Sequence, residues 1–341
     1  MKHIPEDFIQ ATKAFLSSAK NILILSHKNP DGDAMGSGLA LLQYFKEKNI
    51  EANYVLPNQP PAYLNWMPNA ASIVNYSIDK EKAEAIVKQA DLIFMLDFNH
   101  RSRLGELAEI VLASTSPKVM IDHHPYPEQI VDQMYNRTSA SSTAEMVFEF
   151  ITSHEHSDEL SKSIAECLFV GIMTDTGNLS YNSSQPLTFE VVGNLLKSGI
   201  DKDNIIDRVY NNYSQHRLRL LGHSVNTKLK VLPEYQAAYI YLSRQDLEDY
   251  KFEQGDTEGF VNYPLSIKGI VFSAIFIEKD GFTKCSFRSK GTFPANKVSS
   301  DNFRGGGHLN AAGGEFKGSL KKATELFEQV LPNYKQYLNE K

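Results

Sequence analysis

The chain has 341 residues, 42% of them apolar and 22% charged, with a formal net charge of −6. That is the make-up of an ordinary globular protein, long enough to bury a large core without disulfides and, at about 100–200 residues per domain, to form two domains. The acidic balance argues against long duplex nucleic acid as the main partner, because proteins that grip such a backbone carry a basic footprint.

The N-terminal stretch MKHIPEDFIQATKAF mixes acids with apolar residues and lacks a signal-peptide core. The longest apolar run falls well short of the roughly 20 residues needed to span a bilayer. Cys167 and Cys285 sit in apolar surroundings without partners at metal-ligand spacing, so they read as reduced structural thiols. Together these features predict a cytoplasmic protein.

In chain order, residues 21–26 (NILILS) form a continuous apolar run that opens into a polar loop. Residues 34–48 follow as a helix, with Leu39, Leu42 and Phe45 on one face. Residues 91–96 (DLIFML) and 118–121 (KVMI) are two more buried-strand patterns. Continuous apolar strands separated by helices predict a parallel α/β sheet covered on both faces. Ser142 to Glu145 has capping-box spacing before a helical run, and residues 161–174 predict another helix that stops near Gly177. Residues 186–230 read as a charged helical connector of two helices. Beyond it, strands are predicted at 235–242, 267–277 and 283–288 and a helix at 320–338, a second and smaller α/β domain. The expected division is a catalytic domain at 1–185, the connector at 186–230 and a substrate-binding domain at 231–341.

Three acidic and histidine-rich motifs fall just after predicted strands: SHKNPDGDAMGS (26–37), LDFN (96–99) and IDHHP (121–125). A fourth, TDTG (174–177), falls at a predicted helix end. Sites in open parallel sheets form at the carboxyl ends of strands, so these residues should converge. Carboxylates can bridge two metals and imidazole can take a terminal position. A mixed set favours Mn²⁺, Fe²⁺, Co²⁺ or Zn²⁺ over a pure Mg²⁺ site. Two-metal centres of this kind perform phosphoryl transfer. A lone His-Asp pair in a loop is more often a surface pair and a lone Asp after a strand is often a helix cap, while the adjacent His123 and His124 are less easily dismissed; the joint occurrence at element ends is what points to a metal site.

HKNPDGDAMGS, LDFN, DHH and GIMTDTG resemble the four motifs of the DHH phosphoesterases, in the same order. FRGGGH (303–308) resembles the glycine-rich motif of the DHH-associated domain. Size and layout look most like the nanoRNase / pAp phosphatase branch of the family. The resemblance implies two divalent cations, most simply Mn²⁺. His27 and Asp31 would hold one, Asp33, His123 and Asp175 the other, and Asp97 would bridge both. It also implies that Asp122 orients a histidine and that His124 faces the substrate. In the second domain, Arg304, Gly305, Gly306, Gly307 and His308 would form an anion nest of unhindered amides, beside Arg288 and Ser289. The implied partners are short single-stranded oligonucleotides and phosphorylated nucleotides, with a homodimer left open, and neither long duplex nor membrane.

The implied activity is hydrolysis of short RNA and of 3′-phosphoadenosine 5′-phosphate (pAp). Rivals within the fold are a linear-dinucleotide (pApA) phosphodiesterase, a RecJ-like single-strand DNA exonuclease, for which the expected extra nucleic-acid-binding domain is missing, and a pyrophosphatase, which the GGGH motif disfavours. A non-catalytic nucleotide-binding regulator is disfavoured because every expected ligand position is filled. His3, His154, His156, His216 and His223 are expected to be structural or solvated. Most Tyr and Phe residues should be core, with a few near the cleft free to stack on bases.

Overall fold

The computed structural model describes residues 4–338; His3 lies outside them. The chain divides into two compact units, Met1–Asn212 and Tyr213–Lys341. No helix among the described residues is long and apolar enough to cross a membrane.

The first unit holds strands β1 (Asn21–Leu25), β2 (Glu51–Leu56), β3 (Val74–Asn75), β4 (Leu92–Leu96), β5 (Lys118–Asp122) and β6 (Gln133–Asn136). They form a six-stranded sheet in the order β3-β2-β1-β4-β5-β6, and every pairing is parallel. Its helices are α1 (Glu6–Ser18), α2 (Gly32–Glu47), α3 (Lys80–Gln89), α4 (Leu107–Ala113), α5 (Thr143–Glu155), α6 (Lys162–Asp175), α7 (Pro186–Lys197) and α8 (Lys202–Tyr210).

Alternation along the strands feeds two cores, one per face. Ile22, Ile24, Leu92, Phe94 and Leu96 point into a core with residues of α1, α2, α5 and α6. Leu23, Leu25, Ile93 and Met95 point into the other, with Ala83 and Val87 of α3 and Leu107 and Val111 of α4. This is the doubly covered parallel sheet that the apolar runs predict. Helices α2 and α6 touch backbone to backbone. A Cβ on Gly36 would lie 2.5 Å from the Cys167 carbonyl oxygen and 2.8 Å from the Gly171 nitrogen.

The second unit contains α9 (Gln215–Asn226), α10 (Arg244–Asp249), α11 (Ala295–Asn302) and α12 (Leu320–Val330). Its strands are β7 (Leu229–Leu232), β8 (Ala237–Leu242), β9 (Phe272–Glu278), β10 (Thr283–Ser289), β11 (Gly306–His308) and β12 (Ala311–Phe316). The sheet order is β11-β12-β10-β9-β8-β7, mixed, with β8 and β9 parallel and the other pairs antiparallel.

Several sequence expectations are corrected here. The stretch 186–230 carries three helices, α7, α8 and α9, rather than two; Asp201 and Ser214 each cap a fresh start. The strand expected from 267 begins only at Phe272, because Phe260–Ser266 is a 3₁₀ segment. The C-terminal helix ends at Val330 and continues as 3₁₀ through Tyr337. Ser142 does cap α5 through the Glu145 amide, but the Glu145 carboxylate turns away, to Ser141, Thr188 and Arg137, so the box is half-formed.

Candidate metal centre

Chain order in the first sheet reverses between β1 and β4, with β2 and β3 on one side and β5 and β6 on the other. The crevice beyond the carboxyl ends at such a reversal is where open parallel sheets bind ligands, because the loops diverge there and leave space. His27 follows β1, Asp97 follows β4 immediately, and Asp122, His123 and His124 close β5. The three motifs therefore meet because the strands before them are neighbours.

Helices supply the rest. Asp31 is the N-cap of α2. Its Oδ1 accepts from the amides of Asp33 (3.0 Å) and Ala34 (3.1 Å), while Oδ2 lies 3.8 Å from His27 Nε2. Asp33 is in the first turn of α2, and its two oxygens accept from the N-terminal amides of α5, Thr143 (2.6 Å) and Ala144 (2.8 Å). Asp175 is the last residue of α6, and its Oδ2 lies 3.4 Å from His123 Nε2.

The donors fall into groups. His27, Asp31 and Asp97 bring ligand atoms within 4.8 Å of one another, and so do Asp33, His123 and Asp175. Asp97 stands between them: Oδ2 is 3.3 Å from His27 Nε2, and Oδ1 is 3.7 Å from His123 Nε2. His124 Nδ1 lies 2.7 Å from Asp122 Oδ1. Burial pushes His124 down to about 3 and Asp122 up to about 6, so near neutral pH a neutral imidazole donates to a carboxylate.

The donor set fits divalent cations. His27 Nδ1 faces the Lys28 carbonyl at 2.8 Å, and a carbonyl can only accept, so Nδ1 carries the proton. Nε2 is then a lone pair, buried and without a hydrogen-bond partner, aimed at the Asp97 and Asp31 carboxylates. Burial lowers the His27 pKa, which works against protonation as the remedy. Burial, together with neighbouring carboxylates, raises Asp33 and Asp97 well above the usual carboxylate range. Acceptors crowded against acceptors in a dry pocket call for a positive ion, and a mixed oxygen and imidazole set suits a transition metal.

Three supporting residues escape sequence reading. Thr143 Oγ1 donates to Asp97 Oδ1 at 3.0 Å, in addition to its amide bond to Asp33. Asn136 Nδ2 donates to the backbone carbonyls of Asp122 (2.9 Å) and His124 (2.8 Å), fixing the loop that carries His123. Arg103 lies close enough for its charge to act on His27, Asp31, Asp97, Asp122 and His124. The only hint available in the sequence was the place of Thr143 beside the capping Ser142, at the first turn of a predicted helix.

In the second unit, sheet register aligns His308 (β11), Ala311 (β12) and Arg288 (β10) in one row across three strands, on the same face. The glycine run is not the open nest expected. Gly306–His308 is strand β11, and the Gly305 amide donates to Ser299 O at 3.3 Å. A Cβ on Gly305 would lie 1.9 Å from Gly313 O, so that glycine serves close strand packing, while Arg304 takes a left-handed φ of 49°. Ser289 Oγ donates to Phe293 O at 2.6 Å and accepts from Asn310 Nδ2 at 2.8 Å.

A parallel sheet with a carboxylate and imidazole cluster at its reversal point is a site for divalent cations, and the family it matches makes the chain a metal-dependent phosphoesterase. Residues 21–172 match the DHH family N-terminal domain and residues 234–337 the DHHA1 domain, and the chain belongs to the DHH family. An exopolyphosphatase-related protein from Bacteroides fragilis is 41% identical, with a TM-score of 0.95 and 100% of both chains covered. The bifunctional oligoribonuclease and PAP phosphatase NrnA of Bacillus subtilis is 26% identical over 299 residues, 87% of this chain and 90% of that one. RecJ of Thermus thermophilus in complex with Mn²⁺ shares the fold at 13% identity and a TM-score of 0.58, over 99% of this chain and 56% of that one.

Proposed function

We propose that this enzyme hydrolyses short RNA oligonucleotides and removes the 3′-phosphate of pAp. The observation that carries the reading is the position of Asp97, whose two oxygens are divided between two ligand sets, His27 with Asp31 on one side and Asp33, His123 and Asp175 on the other. When bound there, a pair of divalent cations neutralises charge on phosphoryl oxygens and lowers the pKa of the attacking water. Asp97 would bridge the pair, and the mixed oxygen and imidazole donor set makes Mn²⁺ the first ion to supply. Asp122 holds the His124 tautomer through the Nδ1 bond, leaving Nε2 to face the phosphate or the leaving oxygen. Within the second unit, Arg288 and His308 are the proposed phosphate-binding residues, aligned across β10, β12 and β11, with Arg304 and Gly305–Gly307 shaping that sheet edge and Ser289 bracing it. The names of the NrnA relatives support the substrate class. Two buried, unpaired thiols suit the reducing cytoplasm.

The test is a panel with purified protein in Mn²⁺: RNA dinucleotides, pAp, pApA, short DNA and pyrophosphate. Hydrolysis of RNA dinucleotides and pAp ahead of the rest is expected. Preference for pyrophosphate, or for DNA alone, would overturn the reading.

A further inference from the structure

The cluster of five carboxylates and three imidazoles has an arginine, Arg103, beside it. Arg103 is the third residue of the 3₁₀ segment Arg101–Leu104, held in place by fully buried Leu104. Its carbonyl accepts from the Lys28 amide at 2.7 Å, which ties this segment to the loop carrying His27. The side chain is half-buried, and its Nε is buried without a hydrogen-bond partner. Its neighbour Arg101 is paired with Glu128, whereas no carboxylate among the described residues comes within ion-pair distance of the Arg103 guanidinium. Its field nevertheless reaches the His27–His124 side of the cluster.

This arrangement is costly unless something else arrives. A desolvated guanidinium with an open donor wants an anion, and the nearby carboxylates are too far away to bond it. Once two dications occupy the cluster, Arg103 becomes a third positive centre at its edge and opposes metal binding by simple Coulomb repulsion. A residue kept only for charge balance would do the reverse. A phosphate answers both problems, because it offers oxygens to the cations and to a planar fork at the same time.

Resting on the phosphoesterase reading above, we propose that Arg103 is a substrate-binding residue that takes a non-bridging oxygen of the phosphate held at the His27–His124 side of the centre. Arg103 makes contact through its free Nε–H and one terminal N–H. It holds the phosphate against rotation while His124 faces the same group.

Substitution leaves the Arg103 carbonyl bond to Lys28 intact, so Arg103→Gln and Arg103→Lys variants should keep the loop. Three measurements apply to the full chain. The first is Mn²⁺ affinity by titration, expected to be unchanged or tighter in Arg103→Gln. The second is binding of inorganic phosphate to the Mn²⁺-loaded protein by calorimetry, expected to weaken about 10- to 150-fold, the range for losing a charged hydrogen-bonding partner. The third is kcat/KM on an RNA dinucleotide, expected to fall by a similar factor, with Arg103→Lys recovering part of it as a point charge without the fork. Loss of Mn²⁺ from Arg103→Gln, with activity restored by excess metal, would overturn the proposal in favour of a structural role. Phosphate affinity within threefold of wild type would overturn it outright. Phosphate binding is read without turnover, so a wild-type enzyme inactive on the nucleotide panel would sink the substrate reading and leave this measurement to decide Arg103 by itself.

Discussion

Asp97 holds φ at +63°, in the left-handed region that a residue with a Cβ enters at about 1–3 kcal/mol. The strain turns the chain sharply at the end of β4, so that its carboxylate faces both His27 and His123. Asp97→Ala should therefore cut kcat to less than about one hundredth of wild type, a loss of at least about 2.7 kcal/mol in barrier terms, and lower the Mn²⁺ bound per chain. A variant keeping a tenth of wild-type kcat would remove Asp97 from the bridging position. Thr143→Val should be milder, roughly tenfold to a hundredfold in activity, since it removes a hydroxyl that orients Asp97 and spares the Asp33 amide bond. Unchanged kinetics in that variant would make the Thr143 bond incidental. The acids and histidines themselves were legible because they sit in motifs at strand ends and, for Asp175, at a helix end. Thr143, Asn136 and Arg103 were not, because each lies in an unremarkable segment and meets the site only through the fold.

Helices α2 and α6 carry Asp33 and Asp175, and their spacing sets the distance between those carboxylates. Contact at Gly36 is with main-chain atoms of Cys167 and Gly171, which cannot swing aside. Gly36→Ala should cost about 1–3 kcal/mol by forcing the helices apart, with activity falling alongside stability. Gly193, inside α7 with open space where a Cβ would go, is the contrast: Gly193→Ala should stabilise by about 0.4–1 kcal/mol. Urea titrations of both variants check the pair, and a stable, active Gly36→Ala would refute close packing as the constraint. In the second unit the capping box of α10 predicts a pH effect. Burial alone would raise the Asp246 pKa, but bonds from Lys228, Ser243 and His223 outweigh it and hold the carboxyl below its ordinary range. A depressed folded pKa gives stability that is present above the unfolded value of about 3.9 and lost as pH falls below it. Wild type should therefore lose more stability than Asp246→Ala between about pH 5 and pH 3; equal acid slopes in thermal melts would contradict the assignment. Strands β1, β4 and β5 were legible as unbroken apolar runs, which only a doubly covered sheet needs. Strands β11 and β12 were not: GGH and AAGGEF are glycine-rich, carry no period-two pattern and read as a loop until their pairing is seen.

For the whole molecule, charge bears on the length of substrate that the proposed function would take. A long single strand held by many phosphate contacts needs a basic track, and each contact releases counterions on binding, so affinity falls steeply with salt at a slope of about −0.7 per phosphate for single strands. This chain carries 35 basic against 41 acidic residues, net −6. Its candidate phosphate contacts of fixed positive charge come to three arginines, Arg103, Arg288 and Arg304. Two or three contacts suit a dinucleotide or a bisphosphate, and a chain with more acids than bases has few cations to offer each added nucleotide. Under the proposed function, kcat/KM should be highest on RNA of two to five nucleotides and lower at about 24, and its logarithm should fall against log salt with a slope shallower than about −2, the value for three contacts. The measurement is a set of labelled RNAs of two, five and about 24 nucleotides, each at three salt concentrations with Mn²⁺ saturating. A monotonic rise of kcat/KM with length, or a slope that steepens as the strand grows, would show that further phosphates are being gripped. The substrate would then be a long strand threaded past the metal centre, rather than a short end held by a handful of cations.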